Sequence, residues 1–193
     1  MIYENSLHGL SFKTGDIICT TDVNLEIEAG EFWRFLGRIL PGEVDHVAIY
    51  VGPDGRCVEA GARGVVTFDL DGDTWNSRTM IQQRGRIFDQ FYGVAYPLAG
   101  RGLSTDQEQR IREGVAAYCL LQAQTKKPYN LNFLDADTEM AFYCSQLAYK
   151  AYLAHGINLN SGRGVPNLPG TSEIVFTQEV WSACHHRRPA GIP

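Results

Sequence analysis

The sequence predicts an α+β fold, and three observations predict it. Short β-type runs cluster in the first hundred residues, the two strongest helical patterns follow them, and no repeating strand–helix alternation runs through the chain. With 193 residues, 44% hydrophobic and 20% charged, the chain suffices for a sizeable core and is unlike a disordered or fibrous sequence. No internal repeat or low-complexity tract divides it. The expectation is one domain spanning residues 1–193, an antiparallel sheet or small barrel packed against helices.

The elements follow in order. "TGDIICTT" (14–21) is a turn followed by a β-branched run, hence a strand. Phe32, Phe35, Leu36 and Ile39 stand at i, i+3, i+4 and i+7, which predicts a short amphipathic helix closed by Pro41 and Gly42. "VDHVAIYVGPDGRCVEAG" (44–61) sets two alternating runs around Gly52-Pro53-Asp54-Gly55, a hairpin signal. "GVVTFDL" (64–70) and "YGVAYPLAG" (92–100) are further strands. Residues 71–90 read ambiguously, with a short helix near Asp73–Ser77. "STDQEQRIREGVAAYCLLQAQ" (104–124) is the clearest helix. Ser104 suits its N-cap, Asp106 and Glu108 suit its first turn, and Ile111, Val115, Tyr118 and Cys119 form its buried stripe. "KKPYN" breaks it. A second helix runs from about Phe142 to His155 and ends at Gly156. "SGRGVPNLPG" is a Gly/Pro loop, and "EIVFTQEVWSACHH" reads as a short strand and a final helix.

Charge and cysteine usage narrow the function classes. The formal net charge is −5, from 22 acidic and 17 basic residues, which argues against nucleic acid as a partner. No apolar run is long enough to predict a membrane span. "MIYENSLHGL" lacks the basic-then-apolar pattern of a secretory signal, so cytoplasmic residence or export by a non-classical route is expected. The five cysteines, at 19, 57, 119, 144 and 184, are odd in number and contain no C-x-x-C. That is neither a disulfide scaffold nor a zinc pattern, so no metal and no cofactor are expected.

Two stretches carry chemistry. In a strand from Asp45 to Val51, His46, Ala48 and Tyr50 share one face and Val47, Ile49 and Val51 the other. The aliphatic face belongs to the core; the His46 face reads as a cleft wall. If Gly52 pairs with Gly55, paired positions sum to 107, and Ala48 lies opposite Glu59. His46 is then diagonal to Glu59 on one face, within reach of its carboxylate. Asp45, on the opposite face, is the poorer partner. The bland alternatives are a strand-end histidine bonded locally and a solvated edge glutamate. In "FYCSQLAYKAY" (142–152), Cys144 begins a helix, where free backbone N–H groups and the dipole favour a thiolate and offer an oxyanion site. The alternative is a small buried side chain on the Leu147, Ala148 and Ala151 face. Cys184, beside His185 and His186, is the runner-up nucleophile, although "HHRRP" reads as a solvated tail.

The ordered set "TGDII", "DHVAIYVG", "VEAG", "KKPYN" and "FYCSQLAYKAY" resembles the circularly permuted NlpC-type cysteine peptidases, the YiiX/YebB-like group of the papain-like fold. In that group the histidine strand precedes the cysteine helix. The resemblance covers roughly residues 14 to 155. It implies a permuted papain-like fold, with Cys144 as nucleophile, His46 as general base and Glu59 as the residue orienting the imidazole. It implies hydrolysis of an amide bond, commonly in bacterial cell-wall peptides, so the expected partner is a small peptide or muropeptide. Asp45 departs from the small residue, such as serine, that often precedes the histidine. Residues 71–90 read as an insertion peculiar to this chain. The "NCEHF" motif of the related lecithin:retinol acyltransferase-like group is absent. Two rivals stand beside this reading. One is a thioester- or lipid-directed acyl transferase with an apolar tunnel lined by Trp33, Phe35 and Trp181. The other is a binding module that keeps the fold without catalysis.

Overall fold

The computed structural model describes residues 1–25, 42–164 and 169–190. The helix expected around Phe32–Ile39, with Trp33 and Phe35, lies outside the described residues. The fold is α+β: antiparallel sheets packed against helices.

The main sheet has six strands in the order β6-β5-β4-β3-β7-β8. These are β3 (Ile17–Leu25), β4 (His46–Tyr50), β5 (Arg56–Gly61), β6 (Gly64–Asp69), β7 (Ile87–Tyr96) and β8 (His185–Arg187). Among the described residues β6 and β8 are its open edges, so the sheet is not a closed barrel. The hairpin signal at Gly52–Gly55 produces the β4–β5 turn, with Asp54 and Gly55 at positive φ, 58° and 77°. Its register pairs Ile49 with Val58 and Tyr50 with Cys57, the offset that the turn predicts.

A separate hairpin, β1 (Glu4–Leu7) and β2 (Leu10–Lys13), precedes the sheet. His8 and Gly9 form its two-residue turn, with φ of 48° and 78°, the geometry that matches strand twist.

Helix α2 (Thr105–Gln124) and helix α3 (Cys144–Leu153) cover one face of the sheet. Val47, Ile49 and Val58 pack there with Val115, Cys119, Leu147, Ala148 and Ala151. Ser104 Oγ accepts from Gln107 N at 3.3 Å while Gln107 Oε1 accepts from Ser104 N at 2.9 Å, so α2 starts with a capping box. Its buried stripe is turned from the expected one. Val115 and Cys119 are buried, but Ile111 and Tyr118 are only half-buried, and Arg112, Ala116 and Gln122 face inward. Arg112 turns in because it meets Asp16 at 2.8 Å and the Thr14 carbonyl at 2.7 Å.

The opposite face of the sheet is also covered, which corrects the expectation of a cleft wall along β4. Ala48, Tyr50, Cys57 and Phe68 form a second core with Leu7 and Phe12 of the first hairpin and with Met80. All five residues of β4 are therefore buried. The helix expected near Asp73–Ser77 does not form there; α1 spans Ile81–Arg84 instead. The tail differs too. Residues 174–176 are not a strand; α4 (Thr177–Ser182) comes first, and the late strand is β8, paired to the edge of β7.

Candidate active site

Three elements converge at one end of the sheet. β4 opens with His46, β5 carries Glu59, and α3 opens with Cys144. His46 Nε2 meets Glu59 Oε2 at 2.8 Å, and Cys144 is hydrogen-bonded to His46. With Nε2 engaged by the carboxylate, the thiol is left to Nδ1, the other ring nitrogen. Glu59, on the neighbouring strand, is thus the carboxylate on Nε2.

Local geometry explains the meeting. β4 and β5 pair only as far as Ile49 and Val58, so the strands part before His46 and Glu59. The Val47 N–H, which the ladder would otherwise have used, is given to the Cys144 sulfur, joined there by the N–H of Ser145. The start of α3 is pinned by several bonds. Gln146 Oε1 accepts from Tyr143 N at 3.2 Å and from Asn130 Nδ2 at 3.0 Å, while Gln146 Nε2 donates to the carbonyls of Ala136 and Thr138 at 3.2 and 2.9 Å. Ser145 Oγ donates to the Val175 carbonyl at 2.7 Å, and Tyr143 Oη accepts from Val175 N at 3.1 Å. Thr177 Oγ1 donates to the Val44 carbonyl. The 174–177 segment thus braces the Cys144 and His46 lead-ins together.

The electrostatics follow from these contacts. Burial pushes the Cys144 pKa up, but the His46 charge and hydrogen bond, with the Val47 and Ser145 N–H groups, outweigh it and hold the thiol below its ordinary value. Burial pushes His46 down, but the Cys144 charge and hydrogen bond, followed by Glu59, carry it up to about 10. Burial raises Glu59, but Arg84 first and then His46 hold its carboxyl at about 2. Each group thus favours the charged form of the other, the imidazolium the thiolate and the thiolate the imidazolium.

Arg84 and Asp89, behind Glu59, were not singled out in the sequence. Arg84 Nε lies 3.0 Å from each Glu59 oxygen, and Nη2 lies 2.9 Å from Oε2. Its other side meets Asp89 Oδ1 and Oδ2 at 2.9 and 2.8 Å. An arginine in an ambiguous stretch reads as a surface charge, so only the fold reveals this cluster.

The other candidates resolve differently. Burial pushes Cys19 and Cys57 well up, and Cys119 and Cys184 up to about 12. Cys184 has no imidazole arranged as Cys144 has: His186 stacks on Trp181 at 4.2 Å and its Nδ1 faces the Cys184 carbonyl at 2.9 Å. The expected solvated tail is thus part of the sheet through β8, although His185–Arg187 remain exposed. Trp181 is a core residue, edge-on to Tyr92 at 5.0 Å.

No model of a known protein family matches the chain, and no curated protein matches it in sequence. Among solved structures, it is similar to the metalloprotein YiiX from Escherichia coli O157:H7, with a TM-score of 0.51 and 17% identity over 90% of this chain and 94% of that one. YiiX belongs to the YiiX/YebB-like group that the motifs resemble. At that identity the likeness shows a shared fold.

The described residues do not fit a resident metal. No group of three or more His, Cys, Asp or Glu side chains is arranged to hold one among them. At the site itself, Glu59 faces Arg84 with both oxygens and His46 Nε2 is taken by Glu59. One thiolate and one ring nitrogen remain, too few for a protein metal site.

Proposed function

We propose that this protein is a cysteine hydrolase of the circularly permuted NlpC-type, papain-like class, cleaving an amide bond in small peptides of the bacterial cell-wall kind. The observation that carries the reading is the array of Cys144 on the first turn of α3, His46 bonded to it, and Glu59 Oε2 2.8 Å from the far ring nitrogen. The histidine strand precedes the cysteine helix, as in the permuted group.

The chemistry runs in two halves. The Cys144 thiolate attacks the carbonyl carbon, and the electron pair moves to oxygen, where the backbone N–H of Cys144 at the helix start offers a donor. The His46 imidazolium gives its proton to the departing amine as the C–N bond breaks and a thioester forms. Neutral His46 then takes a proton from water as its oxygen attacks the thioester. Collapse releases the carboxylic acid and restores thiolate and imidazolium. Glu59 fixes the ring tautomer and steadies its positive charge. YiiX is described as a metalloprotein; no step here uses a metal.

The test is amine release from muropeptides by wild type and by Cys144→Ala, beside hydrolysis of a p-nitrophenyl acyl ester. Wild type should release amine and Cys144→Ala should not, with the fold retained by circular dichroism. A Cys144→Ala protein as active as wild type would sink the nucleophile assignment. Ester cleavage without amine release would move the substrate class to acyl esters. Iodoacetamide should label Cys144 well below pH 7, where an ordinary thiol (pKa about 8.5) is protonated, and His46→Ala should remove that reactivity.

A further inference from the structure

We infer that Arg84 is a positioning residue: it clamps the Glu59 carboxylate, and through it the His46 ring, in line with Cys144. The inference rests on the Cys144–His46–Glu59 reading and deepens it. It also gives residues 71–90 a role, since this stretch supplies Trp75, Arg84 and Asp89 to the site.

The clamp is gripped from every side. Three Arg84 contacts of 2.9 to 3.0 Å hold Glu59, and two of 2.9 and 2.8 Å hold Asp89. Asp89 is fixed in turn by Thr20 Oγ1 and Trp75 Nε1, both at 2.9 Å. The guanidinium lies over the rings of Phe68 and Trp75, 4.9 and 4.7 Å from their centroids. The Arg84 and Glu59 side chains are fully buried, at 0% exposure. Gly85 makes the turn that aims Arg84 inward; its φ of 85° and ψ of −171° belong to a region open essentially to glycine alone.

Stability alone does not account for this cluster. A buried ion pair is often no better than a well-packed apolar substitute. Here two carboxylates face one guanidinium, so Glu59, Arg84 and Asp89 together carry one uncompensated negative charge inside the core. Protonated His46, on the free side of Glu59, offsets that charge, and the Cys144 thiolate on the other side of the ring leaves the five groups with one net negative charge. The cluster is therefore matched to an imidazolium. A guanidinium also grips a carboxylate and a second acceptor in fixed directions, which the single ammonium of lysine cannot.

The experiment is the pH profile of Cys144 alkylation by iodoacetamide in wild type, Arg84→Lys, Glu59→Gln and the double variant. Arg84→Lys keeps the charge and loosens the grip. Its acid limb should rise by about one pH unit, an alkylation rate about tenfold lower on that limb. In the Glu59→Gln background the same change should add less than about twofold, because the clamp has lost its object. An Arg84→Lys profile superposable on wild type overturns the inference, as does an equal shift in both backgrounds, which marks a general effect on folding. A wild type unreactive on the acid side overturns the triad reading and this inference together; failure in Arg84→Lys alone leaves the triad standing. If Arg84→Lys does not fold by circular dichroism, Trp75→Phe takes its place, keeping a ring on the guanidinium and removing one bond to Asp89. It should shift the profile in the same direction by less, again only with Glu59 present, and an unmoved profile overturns the inference.

Discussion

Exposure does not distinguish Cys144 from the other thiols; the charges around it do. Cys144 is 6% exposed and Cys184 is 8% exposed, yet burial dominates only the second. Cys144 alone has an imidazole, two backbone N–H groups and the first turn of a helix to stabilise a thiolate. Limited alkylation of the native protein at neutral pH should therefore modify one cysteine, at Cys144, with the other four labelled only after unfolding. Peptide mapping that finds Cys19, Cys57, Cys119 or Cys184 labelled first would contradict this order. Glu59→Gln removes the charge behind His46 but keeps a polar group there. Amide turnover should fall by about 10- to 1000-fold, by analogy with other orienting carboxylates, with the thiol still alkylatable. An undiminished rate would take Glu59 out of the proposed triad.

At the scale of elements, sequence signals were readable where they were local. Gly52-Pro53-Asp54-Gly55 set the β4–β5 register, and that register put His46 diagonal to Glu59. Ser104, with Asp106 and Glu108 after it, announced α2, and Gly156, at a φ of 75°, follows the end of the cysteine helix. Signals failed where the deciding partner is distant. β8 exists because the edge of β7 accepts it, and nothing in "HHR" says so. Arg112 and Arg84 are buried only because Asp16, Glu59 and Asp89 meet them. The β4 face with His46 reads as open in the sequence but is covered, because its cover, the β1–β2 hairpin and Met80, comes from elsewhere in the chain. Two substitutions separate these kinds of element. Ser104→Ala breaks a local cap and should cost about 1 kcal/mol, lowering Tm by about 2–4 °C for a domain of this size, with the Cys144 labelling profile unchanged. Gly85→Ala forces a strained turn at a cost of about 1–3 kcal/mol, and should also move the labelling profile because Arg84 follows that turn. A Gly85→Ala protein with lowered Tm and a wild-type profile would uncouple α1 from the site.

At the scale of the whole molecule, the site is part of what holds the fold together, because its charges lie where the two cores meet the end of one sheet. The consequence is a pH dependence of stability with a definite sign. Glu59 has a folded pKa of about 2 against an ordinary 4.5, with Arg84 the main favourable cause. A depressed carboxyl contributes stability that is full above pH 4.5 and is lost as pH falls towards about 2. Cys144 and His46 behave as a pair. Just below pH 9.0 the unfolded pair holds its one proton on sulfur, while the folded pair, with the thiol lowered and the imidazole raised, holds its proton on the ring, so their slopes cancel there. Above pH 9.0 the unfolded pair holds none, while folded His46 keeps its proton until about pH 10. Stability from the pair therefore falls as pH rises through that interval. Denaturant unfolding of wild type and Glu59→Gln across this range isolates the carboxylate. The variant should be less stable by a constant amount just above pH 4.5, where His46 is protonated in both proteins, and the gap should close as pH falls towards 2, since wild type then loses the same charge. A gap that stays constant down to the acid transition would mean that Glu59 is not held ionised by Arg84 and His46, and the charge argument for the cluster would fall with it.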